Sequence, residues 1–243
     1  MATKTRKSKS KKKKPARKRF RPDLWIRRWT LRVVAAGFLL AVGLVLLWSV
    51  VNPPTTFYMM QESRRLGGVD HEWVPLEEIA PVMARAVVAA EDANFCQHWG
   101  LDVDAIRNAI DEGRGRGAST ISQQVVKNVY LWHGRSYVRI VLEAGLTPLM
   151  EAIWSKRRII EVYLNIAEFD EGVFGVDAAA WHYFDVGPGE LSGVQAARLA
   201  ALFPSPKTRS ASRPSSFVQR RGRQILAGAA TIDADGRAAC FQS

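Results

Sequence analysis

The chain has 243 residues, enough for one domain with a substantial core plus smaller segments. Its net charge of +12 is unevenly placed: residues 1–32 hold 15 Lys/Arg and one acid, Asp23, while the remainder holds 20 Lys/Arg against 22 acids. The basic balance therefore belongs to a tail and does not support a nucleic-acid-binding folded domain, and the two cysteines, Cys96 and Cys240, are too few for a disulfide framework, lack metal-ligand spacing and are expected to stay unpaired.

Residues 1–21 are Lys/Arg-rich and nearly devoid of apolar side chains, so the sequence predicts a basic cytoplasmic tail (1–32) that cannot bury enough surface to fold. Residues 33–51 carry no charge, and at ~1.5 Å per residue they span a hydrocarbon core. Trp25, Trp29 and Trp48 stand where an aromatic belt would lie, and positive charge ahead of the span keeps the N-terminus in the cytoplasm. The run is longer than the apolar region of a cleaved signal peptide, and Asn52-Pro53-Pro54 follows in place of a small-x-small site, so an uncleaved anchor is expected. The tail would then lie against anionic lipids.

Residues 52–69 read as a linker, 70–230 as the folded domain and 231–243 as a loose tail. Pro75 and Pro81 with Glu77 and Glu78 mark a helix start, after which Ile79, Val82, Met83, Ala86, Val87 and Ala90 recur at helical spacing and should face the core. That run ends at Glu91 and Asp92 in the stretch AAEDANFCQHWG. A carboxylate at such a helix end is half shielded from water, which raises its pKa and suits it to acid–base work near neutral pH. An ordinary solvated helix end reads the same way when only these two residues are considered. Residues 103–111 read as a short helix and Gly113 to Gly117 as a cationic glycine loop, a plain connector or one that handles an anionic substrate.

Ser119 or Thr120 can cap a helix over residues 121–131. On it Gln123 and Lys127, and Gln124 and Asn128, stack at i,i+4, while Ile121, Val125 and Val129 take an apolar face. Paired glutamines beside an ammonium suit sugar hydroxyls or a phosphate better than they suit a solvated face. Arg135 and Arg139 follow, with Glu143 one turn beyond Arg139. Pro148 is expected to kink or divide that helix. Lys156 leads a helix that buries Ile159, Val162, Tyr163 and Ile166. Helices are also expected over 193–202 and 217–230, and no strand series stands out, so the domain reads as all-α.

Together these stretches resemble the peptidoglycan glycosyltransferases of glycosyltransferase family 51. The family's first motif matches at Glu91, Asp92, Phe95, His98 and Gly100, and its second at Gly117, Ser119, Thr120, Ile121, Gln123, Gln124, Lys127 and Asn128. The third is present as Arg139 and Glu143, and the fourth as Lys156, Ile159, Glu161, Tyr163, Leu164 and Asn165. The likeness covers about residues 70–226. Two positions depart from it: the third motif's lysine is Ile140, which removes a cation near the site, and a glycine usual after the fourth motif is Asp170.

The resemblance implies a lysozyme-like glycosyltransferase domain behind a single N-terminal transmembrane helix. It implies lipid II and a growing glycan chain as substrates, joined through β-1,4 linkages with inversion as polyprenyl pyrophosphate leaves. Glu91 would be the general base and Glu143 the second catalytic acid. Glu143 would organise cations, bind a divalent ion or assist the leaving group, and these roles stay open. Substrate contacts are expected from Asp92, His98, Ser119, Thr120, Gln123, Gln124, Lys127, Asn128, Arg135, Arg139, Lys156 and Asn165, although Asp92 also suits a local structural role. No tightly bound cofactor is implied, leaving room only for Mg or Mn at the pyrophosphate near Glu143. The expected location is the inner membrane with a periplasmic catalytic domain, residues 125–132 and the 114–117 loop being candidates for touching lipid or, for 125–132, for core packing. No penicillin-binding Ser-x-x-Lys segment follows in the sequence, so cross-linking is expected of transpeptidase or division partners. A lytic transglycosylase or muramidase, and a catalytically inactive membrane-anchored division scaffold, are the competing readings.

Overall fold

The computed structural model describes residues 21–104, 107, 111, 119–134 and 136–242. Most of the 1–21 tail, most of the expected 103–111 helix, the glycine loop and Arg135 lie outside the described residues.

The chain divides into two units, residues 1–41 and 42–243. Helix α1 is Pro22–Trp48, ~40 Å long. It is the one described helix long and apolar enough to cross a membrane. In the first unit Val33, Phe38, Leu39 and Leu40 are all exposed, Trp25 lies 6.1 Å from Trp29, and the Arg32 guanidinium sits 5.3 Å over the Trp29 ring.

In the second unit the expected linker holds a ten-residue helix, α2, Phe57–Leu66. Thr56 caps it by accepting the Met59 N–H, and Gly67 ends it in the left-handed region at φ 81°. Its buried face carries Met59 and Glu62, which the sparse apolar pattern did not reveal. A 3-10 turn over Leu76–Glu78 precedes α3, Pro81–Glu91, which buries Met83, Ala86 and Val87 as expected. Helix α4 is Ile121–Tyr130, α5 Tyr137–Ile153 and α6 Lys156–Ile166. Pro148 does not divide α5: the helix runs through it, with Thr147 Oγ1 donating to the Glu143 carbonyl at 2.7 Å next to the proline's missing donor.

A two-strand antiparallel hairpin, β1 (Glu168–Asp170) and β2 (Val173–Phe174), interrupts the helices. It is too short to leave an alternating pattern in the sequence. Asp170 closes β1 and accepts the Tyr183 hydroxyl proton at 2.8 Å, so this departure is absorbed locally. Helices α7 (Gly175–Phe184), α8 (Gly193–Ala200) and α9 (Ser216–Ala234) complete the domain, and α3, α8 and α9 pack on one another.

The C-terminal segment is not loose. Helix α9 continues to Ala234, and the following turns bury Ala238 and Phe241. Cys240 forms a disulfide with Cys96, with a Cα–Cα distance of 5.6 Å, so the expectation of unpaired cysteines is corrected. The partners are 144 residues apart in sequence and meet because the chain doubles back beneath the turn after α3.

Candidate active site

Glu91 closes α3 and is half-buried. Its Oε2 accepts a hydrogen bond from Gln124 Nε2 on α4 at 3.0 Å. Burial pushes its pKa above the ordinary 4.5 and Asp92 adds to the rise, while the Gln124 bond and the charges of Arg221 and Lys127 pull the other way. The net direction is up. The shielded carboxyl that the sequence suggested is therefore present.

Lys127 stands one turn beyond Gln124 on the same helix. Burial lowers its pKa, Glu143 and Glu91 raise it, and Arg139 lowers it. Its ammonium thus lies within electrostatic reach of Glu91 on α3 and of Arg139 and Glu143 on α5. Among the described residues it has no hydrogen-bond or ion-pair partner. Arg139 Nη1 meets Glu143 Oε2 at 2.5 Å, both side chains being largely shielded, and Arg139 Nε donates to the Gly134 carbonyl at 2.9 Å. Glu143 therefore orients a guanidinium. A single carboxylate already bonded to Arg139, with Lys127 nearby, does not fit a resident divalent ion, which needs several oxygen ligands.

Several motif residues have a different job. Asp92 is buried, its Oδ1 bonded to His98 Nε2 at 2.8 Å and its Oδ2 accepting the Ile121 N–H at 3.0 Å. His98 Nδ1 accepts the Gly100 N–H at 3.1 Å, so its proton sits on Nε2 and points at Asp92. A Cβ at Gly100 would lie 2.5 Å from Thr147 Cγ2, and its φ of 83° is left-handed, so only glycine lets the turn reach α5. Thr120 Oγ1 donates to the Gly100 carbonyl at 2.6 Å, and Thr120 and Gln123 cap α4 reciprocally. These bonds seat the N-terminus of α4 against the turn that carries Glu91.

Lys156 and Asn165 are likewise turned inward. Lys156 Nζ donates to the His98 carbonyl and to Glu151 Oε1, both at 2.8 Å, and lies 4.4 Å over the Phe95 ring. Asn165 is fully buried, exchanging bonds with Val74 N–H and carbonyl and donating to the Glu161 carbonyl. The side chains of Asp92, His98, Thr120, Lys156 and Asn165, and the Gln123 carbonyl oxygen, are bonded within the protein, in contrast to the substrate contacts expected of them. The three acids and bases Asp92, His98 and Asp102 bring ligand atoms within 4.8 Å, but both Asp92 oxygens are engaged. Ser119 is exposed, and Asn128 Oδ1 is buried with no partner among the described residues.

The sequence pattern does not reveal Arg221, Arg209 or a cleft beside Lys127, and it marks Tyr163 only as a buried motif position. Arg221 of α9 faces Glu91 and donates to the Ala90 carbonyl at 3.3 Å, and Arg209 also feels the Glu91 charge. Tyr163 is buried with its hydroxyl unpartnered among the described residues, and burial and Glu91 push its pKa up. A cleft of about 410 Å³ opens beside Lys127 and Asn128 and is also lined by Tyr58, His133, Glu168 and Lys207. Tyr58 donates to Glu168 at 2.7 Å, and burial drives its pKa to about 12. Arg65, and after it Lys207 at 2.8 Å, bond Glu62 and hold its carboxyl down at about 2. Arg221 is one of three arginines on α9, a pattern that reads as a solvated face.

The apolar stretch 125–132 is mostly core, with Val125 and Val126 at 0% exposure and Leu131 buried. Trp132 at the end of that stretch is exposed, and a run of exposed apolar side chains follows on α5 at Tyr137, Val138, Ile140, Val141 and Leu142.

The family model described as transglycosylase matches residues 59–230. A biosynthetic peptidoglycan transglycosylase of Jannaschia sp. (strain CCS1) is 58% identical over 217 residues, covering 89% of this chain and 90% of that protein. Proteins of the same name from Caulobacter vibrioides and Salmonella typhimurium are 41% identical over 224 residues and 47% over 223, covering 89% and 87% of this chain and 98% and 92% of theirs. Matched over more than half its length by the family and nearly end to end by these relatives, this chain is a member of the transglycosylase family.

Proposed function

We infer that this chain is a peptidoglycan glycosyltransferase that polymerises lipid II for cell-wall synthesis. The family match and the names of its relatives carry the activity. The observation that carries the mechanism is Glu91, a shielded carboxyl bonded to Gln124 and within charge reach of an unpartnered Lys127. Glu91 takes the proton from the 4-hydroxyl of an acceptor GlcNAc as that oxygen attacks C1 of the donor MurNAc. The C1–O bond to pyrophosphate breaks on the opposite face, giving the inverted β-1,4 linkage. A pyrophosphate leaving group needs cations more than it needs an acid, and Lys127 and Arg139 provide them, with Glu143 fixing the guanidinium. Arg135 is a further cation in sequence, outside the described residues. No step passes through a metal.

The domain is anchored by α1 at the inner membrane, with the N-terminus in the cytoplasm and catalysis outside. The exposed apolar face of α5 is the lipid-facing surface in this reading, and Ile140 belongs to that face. Transpeptidase and cell-division proteins are the partners that would finish the polymer. Detergent-solubilised protein incubated with labelled lipid II tests the function: polymer from wild type and none from Glu91→Gln supports it. Shortening of finished glycan would indicate a lytic enzyme, and no change in either substrate an inactive scaffold.

A further inference from the structure

The residues after the family match, from 231 onward, are tied to the turn that carries Glu91 at several independent points. Phe241 is buried, its ring centroid 6.1 Å from that of Phe95 within the turn. Arg237 Nη1 donates to the Ala93 carbonyl at 3.2 Å, two residues past Glu91. Gln242 Nε2 donates to the Pro81 carbonyl at the start of α3, and its Oε1 accepts from Arg85, which also pairs with Asp233. Arg157 of α6 donates to the Phe241 carbonyl. The Cys96–Cys240 disulfide joins the two segments covalently, and both cysteines are half-buried and open to small reagents. Phe95, beneath which Phe241 packs, is the ring on which Lys156 rests.

We propose that residues 231–242 form a clasp that positions the Glu91 turn for catalysis, and that the Cys96–Cys240 bond makes this positioning dependent on an oxidising compartment. The proposal rests on the glycosyltransferase reading. A dithiol reductant would open the clasp by exchange: its thiolate attacks one sulfur, the Cys96–Cys240 bond breaks through a mixed disulfide, and the second reductant thiol resolves it. The protein gains two electrons and two protons as two thiols, and the reductant leaves as its own disulfide. The chain has two cysteines, so no other bond is open to this reaction. With the clasp open, the turn keeps its bonds to α4, Lys156 and Arg221 but loses its covalent tie to the C-terminal segment at Cys96. Water then reaches Glu91, which faces Lys127 from α4, Arg221 from α9, Tyr163 from α6, Arg209 and its neighbour Asp92. Small displacements of a catalytic group are costly in rate.

The test uses the full chain in detergent with labelled lipid II, oxidised and after a dithiol, alongside Cys96→Ser/Cys240→Ser, each checked for folding by circular dichroism. Reduction is expected to lower kcat about tenfold with KM changed by less than about twofold. The acid limb of the kcat–pH profile is expected to move to lower pH, since a better-hydrated Glu91 loses its proton more easily. The double variant should match the reduced enzyme and ignore the dithiol. Unchanged kcat and pH profile on reduction would overturn the clasp while leaving the function intact. A lower kcat with an unmoved acid limb, or outright unfolding, would overturn positioning in favour of a merely stabilising bond. Absence of polymer from the oxidised wild type would sink the function reading itself.

Discussion

The two sides of the Glu91 turn use the same kinds of polar residue for opposite purposes. On the inner side Asp92, His98, Thr120, Lys156 and Asn165 have their hydrogen-bonding capacity met by protein. On the outer side the Lys127 ammonium and the Asn128 carbonyl oxygen, both lining the cleft, have no partner among the described residues, and Glu91 has one bond to a carboxyl that can accept several. Shielded polar groups without partners are costly, so the second set is the one left with capacity to bind. The first set holds the α3–α4 turn on which those groups stand.

The sharpest break of this comparison is at Glu91. Glu91→Gln keeps the bond to Gln124 and removes the base, so polymerisation should fall by about a thousandfold or more, read with labelled lipid II. Its effect on stability should run the other way. Because the folded pKa of Glu91 is raised, its protonated form favours folding, and that contribution is present at low pH and lost as pH rises through the folded value. At neutral pH the Gln variant should therefore melt at or above the wild-type temperature; a clear drop would place Glu91 among the structural residues. Lys127→Ala should cost roughly a hundredfold in kcat through weaker leaving-group stabilisation, and an unchanged rate would hand that task to another cation.

On the inner side the expected loss is of stability. Asn165→Ala leaves the Val74 N–H and carbonyl buried without partners, which should cost about 3 kcal/mol and lower the melting midpoint by roughly 6–12 °C. A melting curve that overlays wild type would show that water replaces the amide. The smallest effect belongs to Ile140→Lys. The side chain is about half exposed on the apolar face of α5, so activity in detergent should stay within about twofold, read in the same polymerisation assay.

Much of the site was legible because its residues are close in sequence on single helices. The i,i+4 pairs Gln124–Asn128 and Arg139–Glu143 fix their own geometry once α4 and α5 form. The division of labour was not legible, because a sequence does not show which polar atoms meet. His98 and Asn165 look like ligand groups until Asp92 and Val74 are seen against them. Contacts made at long range were hidden for the same reason: Arg221 approaches Glu91 from a helix 130 positions away, and Cys240 meets Cys96 across 144 residues. Helix α2 hid because a ten-residue element with two buried positions barely imprints a period.

The titration of Glu91 tests the central claim most directly. Carbon-13 carboxyl spectra of glutamate-labelled protein, followed with pH and assigned by difference against Glu91→Gln, would isolate that one group. A midpoint above the ordinary 4.5 is expected from its burial between α3 and α4. A midpoint at or below 4.5 would mean the carboxyl is open to water, and would contradict its role as a shielded base.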